Sequence, residues 1–160
     1  MDILKKTKDI QDLFAEAISE ENVELELIFG HNEVKNPINK TIFLKLLDTL
    51  KKDYNFAVFT SKDKSRTKII LKNYKFFKYI VTSDDVIKGK PYPEGLIKIL
   101  KKIKNKKKDT IYIGDSIYDY KAAKNIGIKY LHAKWGYEKQ LKKKLSINEI
   151  SSFLEIEKYL

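Results

Sequence analysis

Residues 110–127 read Thr110-Ile111-Tyr112-Ile113-Gly114-Asp115-Ser116-Ile117-Tyr118-Asp119-Tyr120-Lys121-Ala122-Ala123-Lys124-Asn125-Ile126-Gly127. Thr110 to Ile113 is a short, continuous run of β-formers, the pattern of a strand buried on both faces. Ile117 to Ile126 predicts a helix, and Gly127 supplies the left-handed stop that ends one. Between them lies only Gly114-Asp115-Ser116, so a strand runs almost directly into a helix. In a parallel α/β sheet such junctions sit at the C-terminal ends of the strands, where helix N-termini point and ligands gather.

The same alternation extends in both directions. Upstream, Phe56-Ala57-Val58-Phe59 is a second buried-type strand ended by Thr60 and Ser61, followed by a predicted helix from Ser65 to about Lys72 and a strand at Tyr79-Ile80-Val81. Pro93 suits a first helical turn, and Leu96, Ile97, Leu100 and Ile103 continue that helix. Downstream, Tyr130-Leu131 predicts a fifth strand, and the S-x-x-E pattern from Ser146 to Glu149 predicts a capping box opening a terminal helix. Towards the N-terminus, Ile10, Leu13, Phe14, Ala17 and Ile18 make a helical stripe up to about Glu20. Val23, Leu25, Leu27 and Phe29 alternate with Glu24, Glu26 and Ile28 up to Gly30, a strand pattern. After Asn36-Pro37, Ile42, Phe43, Leu46, Leu47 and Leu50 form another helical stripe. Alternating strands and helices predict a three-layer, Rossmann-like α/β fold around a central parallel sheet. The reading is one domain over residues 1–160, with an N-terminal helix (1–20), a core (21–136) and a C-terminal helical segment (137–160).

Composition narrows the function. The chain has 160 residues, 42% hydrophobic, with 33 Lys+Arg against 22 Asp+Glu and a net charge of +11. Arg66 is the only arginine. Sequence-reading nucleic-acid sites lean on arginine for bidentate and stacked contacts, so the charge reads as a solvated lysine surface, densest from Lys101 to Lys108. No cysteine is present, which excludes disulfides, thiolate metal sites and a cysteine nucleophile. No segment has the pattern of a signal peptide or approaches the ~18 apolar residues of a membrane span. A cytoplasmic protein with no membrane partner is the expectation.

Three polar clusters fall at the predicted strand ends: Thr60 with Ser61, Gly114-Asp115-Ser116, and Lys90 in the loop Lys88-Gly89-Lys90-Pro91-Tyr92-Pro93-Glu94. Together they offer hydroxyls and N–H groups for anionic oxygens, an ammonium, and carboxylates of the kind that hold Mg²⁺. At these residues the chain resembles the haloacid dehalogenase (HAD) superfamily of aspartate-nucleophile phosphohydrolases. Phe56 to Ser61 is similar to the family's second motif, Lys90 to Glu94 to its third, and Gly114 to Asp119 to its fourth. The resemblance, which covers about Asn55 to Gly136, implies that Thr60 and Ser61 bind a phosphoryl group, that Lys90 steadies it, and that Asp115 and Asp119 serve a Mg²⁺ ion.

The departure is in the first motif. The family uses Asp-x-Asp after its first strand, one aspartate as nucleophile and the other as acid and base; no Asp-x-Asp occurs in this chain. With Val23 to Phe29 as the first strand, Gly30 takes the nucleophile's place and Asn32 the acid/base's, and Mg²⁺ binding is weakened. Two readings follow. One is a catalytically degenerate, phosphatase-like protein that keeps a phosphate-binding rim for a phosphorylated small molecule or a protein partner. The other is a Mg²⁺-dependent phosphohydrolase whose missing motif is replaced near Gly30 to Glu33, with His31 as a further candidate, or is supplied by another chain, residues 1–35 then being a cap remnant. The first alignment leaves about thirty residues between Gly30 and Thr60, room for a minimal cap or none. His132, Trp135 and Tyr137, after the fifth strand, are candidates for lining the rim or covering a binding cleft, with core or partner-facing packing the plainer reading of Trp135.

Any affinity for nucleic acid is expected to be unspecific and to fall steeply as salt rises. Filter binding of two unrelated duplexes across a salt series checks this.

Overall fold

The computed structural model describes residues 40–72, 74–136, 138, 145 and 147–160. The expected N-terminal helix, the Val23 to Phe29 strand, Gly30, His31, Asn32 and Glu33, together with Tyr137 and Ser146, lie outside them. The chain enters α1 (Lys40–Leu50), then β1 (Phe56–Phe59), α2 (Lys64–Ile70) and β2 (Phe77–Val81). After a 3₁₀ turn at Ser83–Asp85 come α3 (Glu94–Ile103), a second 3₁₀ turn at Lys107–Asp109, β3 (Ile111–Gly114), α4 (Ile117–Ile126) and β4 (Lys129–Ala133). β5 (Asn148–Ile150) and a 3₁₀ helix over Phe153–Tyr159 complete it.

Local chemistry sets these boundaries. The Asp63 carboxylate accepts from the Arg66 N–H at 2.8 Å and so opens α2. Ser116 caps α4 by accepting from the Asp119 N–H at 3.3 Å, and Gly127 ends it at φ 71°, a conformation that a side chain would strain. None of the described helices is long and apolar enough to cross a membrane.

β1 pairs with β2, and β3, β4 and β5 pair in that order, every pairing parallel. Alternation along the strands sorts side chains into two apolar layers. Phe56, Ile111, Ile113, Leu131 and Ala133 pack with Leu46, Leu47 and Leu50 of α1 and with Phe153 and Ile156. Ala57, Phe59, Tyr112 and Tyr130 pack with Leu96 and Ile99 of α3 and with Ala122 and Ala123 of α4. The three-layer α/β architecture is therefore as the sequence predicts. Each layer takes residues from both β1 and β3, although no ladder joins those two strands among the described residues.

One boundary is corrected. The S-x-x-E pattern at Ser146 predicts a helix, but Asn148–Ile150 is a strand paired with Leu131, His132 and Ala133. Burial decides it: Ile150 is fully buried against Leu131 and Ala133. The same pattern recurs at Ser152-Phe153-Leu154-Glu155, and there the helical turn begins: the Ser152 hydroxyl accepts from the Leu154 N–H at 3.2 Å, and Glu155 accepts from the Ser151 N–H at 2.9 Å.

Ile150→Ala should therefore cost about 2 to 5 kcal/mol, as for a core isoleucine, measured as a lower urea midpoint with an unchanged m-value.

Candidate functional site

β1 delivers Thr60 to the end of its sheet, where the Thr60 N–H donates to the Val81 carbonyl at 3.0 Å and the hydroxyl oxygen accepts from the Lys62 N–H at 3.1 Å. Ser61, next in the turn, is exposed. Lys90 arrives from the loop before α3. That loop is pinned by Glu94, which accepts from the Ile87 and Lys88 N–H groups, the latter at 2.9 Å, and pairs with Lys98 at 2.8 Å. Hydrogen bonds from Lys98 and then from the Lys88 N–H hold the Glu94 carboxyl at a pKa of about 2, so it is ionised and accepting throughout the neutral range.

The Lys90 ammonium meets Asp119 Oδ1 at 2.7 Å and lies 4.9 Å from the Phe59 ring centroid and 5.7 Å from that of Tyr112. Phe59 belongs to β1 and Tyr112 to β3, so one cation bridges the two strands at the rim. The pair is well shielded, with side-chain exposures of 14% for Lys90 and 5% for Asp119. Asp119 Oδ1 also accepts from the Tyr112 hydroxyl at 2.6 Å, and Oδ2 accepts from the Ser116 hydroxyl at 2.7 Å. Burial acts to raise the Asp119 pKa, but the charge and hydrogen bond of Lys90, with the Tyr112 and Ser116 hydroxyls, outweigh it and hold the carboxyl below its ordinary value. Gly114 makes room for this arrangement: a Cβ there would lie 2.4 Å from Asp119 Cβ.

Asp115 follows β3 and is fixed from behind. A Cβ on Gly136 would lie 2.0 Å from Asp115 Cβ, so the backbone at residue 136 forms a wall of the Asp115 position. The Glu138 N–H donates to the Asp115 carbonyl at 3.0 Å, and the Glu138 carboxylate accepts from the Ile117 N–H at 3.2 Å. His132 lies beneath this tie rather than on the rim. It is fully buried, with Nδ1 3.2 Å from the Tyr130 hydroxyl and Nε2 at the Glu138 carbonyl, while Tyr130 donates to the Gly114 carbonyl at 2.9 Å. Trp135 is core, packed in the layer beneath α1.

Thr60, Ser61, Lys90, Asp115, Ser116 and Asp119 all line one cavity of about 1050 Å³ that continues between β1 and β3. The structure thus brings together the sequence candidates at residues 60, 61, 90, 115 and 119, while those at Gly30 and Asn32 lie outside the described residues. Sequence reading missed Tyr112, Ser116, Glu94 and Gly136 as positioning residues. Ser116 and Asp119 carry a visible i, i+3 signal; Tyr112 and Gly136 carry none without the fold.

Mg²⁺ takes near-octahedral oxygen coordination, but both Asp119 oxygens are engaged, and no group of three acidic or histidine side chains is placed to hold a metal among the described residues. In this structure Asp119 orients Lys90. Asp115 and Asp119 are the rim carboxylates that would hold the ion.

A family profile described as haloacid dehalogenase-like hydrolase matches residues 5–133. The chain belongs to that family. Among curated relatives, it is 31% identical over 99 residues to pyrophosphatase PpaX of Bacillus mycoides, a match covering 60% of this chain and 46% of the relative. It is 29% identical over 136 residues to PpaX of Anoxybacillus flavithermus, covering 79% and 62%. The matches thus span about half to three fifths of those relatives. Among solved structures, a HAD-superfamily hydrolase of subfamily IA from Geobacter sulfurreducens superposes with a TM-score of 0.63 at 25% identity, covering 74% of this chain and 58% of that one. A haloacid dehalogenase-like hydrolase from Streptococcus pneumoniae gives 0.61 at 26%, covering 75% and 58%.

Lys90→Met should destabilise the protein by about 3 to 5 kcal/mol, because it strands a buried carboxylate. Lys90→Met with Asp119→Asn should recover part of that loss, a coupling read from urea melts of the double-mutant cycle. The folded pKa of Asp119 is depressed, so its contribution is present above about pH 4, the ordinary aspartate value, and lost as pH falls through the folded value. Asp119→Asn should flatten stability against pH in that acid window.

Proposed function

We propose that this chain uses the rim at Thr60, Ser61 and Lys90 to bind a phosphoryl group, carried by a small molecule or by a phosphorylated protein partner, and that it does not hydrolyse the ligand alone. The observation carrying this reading is the shielded Lys90 ammonium, fixed by Asp119 and lining the same cavity as Thr60 and Ser61. Charge-assisted hydrogen bonds to anionic oxygens need donors and positive charge but no nucleophile. Family membership supports a phosphoryl ligand, and the relatives named pyrophosphatase make inorganic pyrophosphate the first ligand to try. The missing Asp-x-Asp supports a degenerate site.

A second reading, a Mg²⁺-dependent phosphohydrolase whose nucleophile motif is supplied by another chain or replaced near Gly30 to Glu33, is supported by family membership. The two readings part on hydrolysis, by the chain alone or with a completing chain added.

Calorimetric titration with phosphate and pyrophosphate should show binding. Lys90→Ala should weaken it by about 1.5 to 3 kcal/mol, the range for a charged hydrogen bond, or about 10- to 150-fold. Thr60→Val, which keeps the Lys90 pair, should weaken it about 2- to 12-fold, as for a neutral hydrogen bond. Unchanged affinity in both folded variants would overturn the rim as the site, and Mg²⁺-dependent hydrolysis of an aryl phosphate by the chain alone would overturn degeneracy.

A further inference from the structure

Every ladder is parallel, and Lys90 gathers Phe59 of β1 and Tyr112 of β3 at the rim, so the connections that enter the strands lie at the end opposite the rim. Charge is divided between the two ends. The connections leaving the strands mix acids with lysines, and ion pairs of Lys64 with Asp85, Arg66 with Asp63 and Lys90 with Asp119 tie them together. The connections entering β1, β2 and β3 hold in turn Lys51 and Lys52, Lys72 and Lys75, and Lys104 with Lys106 to Lys108, against Asp53 and Asp109 as their acids. A lysine-rich composition by itself would load both ends alike.

The third of these connections is built to hold its lysines. Lys101 and Lys102, in the last turn of α3, complement the helix dipole, but Lys104 to Lys108 lie beyond it. Lys104 has φ 53°, the only positive φ outside glycine among the described residues. Such a left-handed C-cap suits glycine, as at Gly127, and strains a side chain. Stopping the helix therefore does not account for a lysine there. The Thr110 hydroxyl donates to the Lys106 carbonyl at 2.8 Å and the Asn105 amide to the Asp109 carbonyl at 3.1 Å, so the loop closes on itself with Lys104, Lys106, Lys107 and Lys108 exposed.

The chemistry of this face selects its partner. Lysines spread over the entrances to three strands fit anions repeated along a chain, as in a phosphodiester backbone, which lysine meets as a point charge without reading bases. The one arginine, Arg66, begins α2 and lies at the other end. Binding to a bilayer surface adds buried apolar area to charge, but the one apolar residue from Lys101 to Lys108 is Ile103, which packs with Leu96 and Ile99.

We propose that the face at the N-terminal ends of the strands binds the phosphodiester backbone of nucleic acid without regard to sequence, at the opposite end of the molecule from the rim. The proposal does not rest on phosphate at the rim.

The test uses the full chain and two labelled single-stranded oligonucleotides of unrelated sequence. Both should bind with equal affinity by fluorescence anisotropy at about 50 mM salt, with log affinity falling linearly in log salt. The quadruple variant Lys104→Gln, Lys106→Gln, Lys107→Gln, Lys108→Gln should bind at least tenfold more weakly and make that slope shallower by about 3, at ~0.7 per phosphate contact on a single strand. A control of equal net charge, Lys64→Gln, Lys88→Gln, Lys121→Gln, Lys134→Gln, should change binding less than threefold. Lys104→Gly should raise Tm, since glycine relieves the left-handed position, and yet weaken binding, a pair of opposite shifts that loss of folding cannot produce. Equal losses in the two quadruple variants would overturn the proposal, because net charge alone would then explain binding. Absence of binding by the unmodified chain would overturn it, as would a tenfold preference for one oligonucleotide. Lysine-dependent binding to phosphatidylserine vesicles with none to either oligonucleotide would overturn it in favour of a bilayer.

Discussion

The ion pair between Lys90 and Asp119 is the constraint on which the site depends. It is made across elements that no β-ladder joins among the described residues, with the ammonium over an aromatic ring from each half-sheet and the carboxylate at the start of α4. A shielded pair of this kind adds little net stability, because desolvation offsets much of the Coulomb gain, but it penalises any arrangement that parts the two charges. The Tyr112 and Ser116 hydroxyls complete the carboxylate's hydrogen bonding, and Glu94 holds the loop that brings the lysine. The pair fixes geometry more than it supplies energy, and a binding site needs its donors held in place.

At the rim, the Thr60 and Ser61 hydroxyls and the Lys90 ammonium line one cavity with the Asp115 and Asp119 carboxylates. Asp119, which on sequence pattern belongs to a metal site, orients a cation in this structure. A carboxylate offers about four lone-pair sites, so the three hydrogen bonds that Asp119 accepts do not exhaust it.

Much of this was legible before the structure. Strands ending at Phe59 and Ile113 followed from continuous apolar runs, and α4 from its helical pattern and Gly127. Lys90 stood out among thirty-two lysines only because a proline-led helix follows it between two strand ends. What sequence reading placed wrongly has a common cause. Ser146 to Glu149 satisfies a local capping rule, but Ile150 buries its side chain only by pairing with β4, and tertiary burial outweighs a cap. His132 looked like a rim residue because it follows a strand, whereas the buried Tyr130 and the Glu138 carbonyl hold it beneath the rim. Gly136 offered no signal, since the need for glycine comes from a carboxylate twenty-one positions earlier in the chain.

The parallel ladders among the described residues also bear on how the molecule folds. β1 and β2 close within residues 56–81, and β3, β4 and β5 within 111–150, each through parallel pairings of neighbouring strands. Contacts of short sequence separation incur less loop-closure entropy and form early. Each apolar layer nevertheless takes residues from both ladders, so neither ladder closes a core by itself, and the rim is complete only when Lys90 reaches the Asp119 carboxylate.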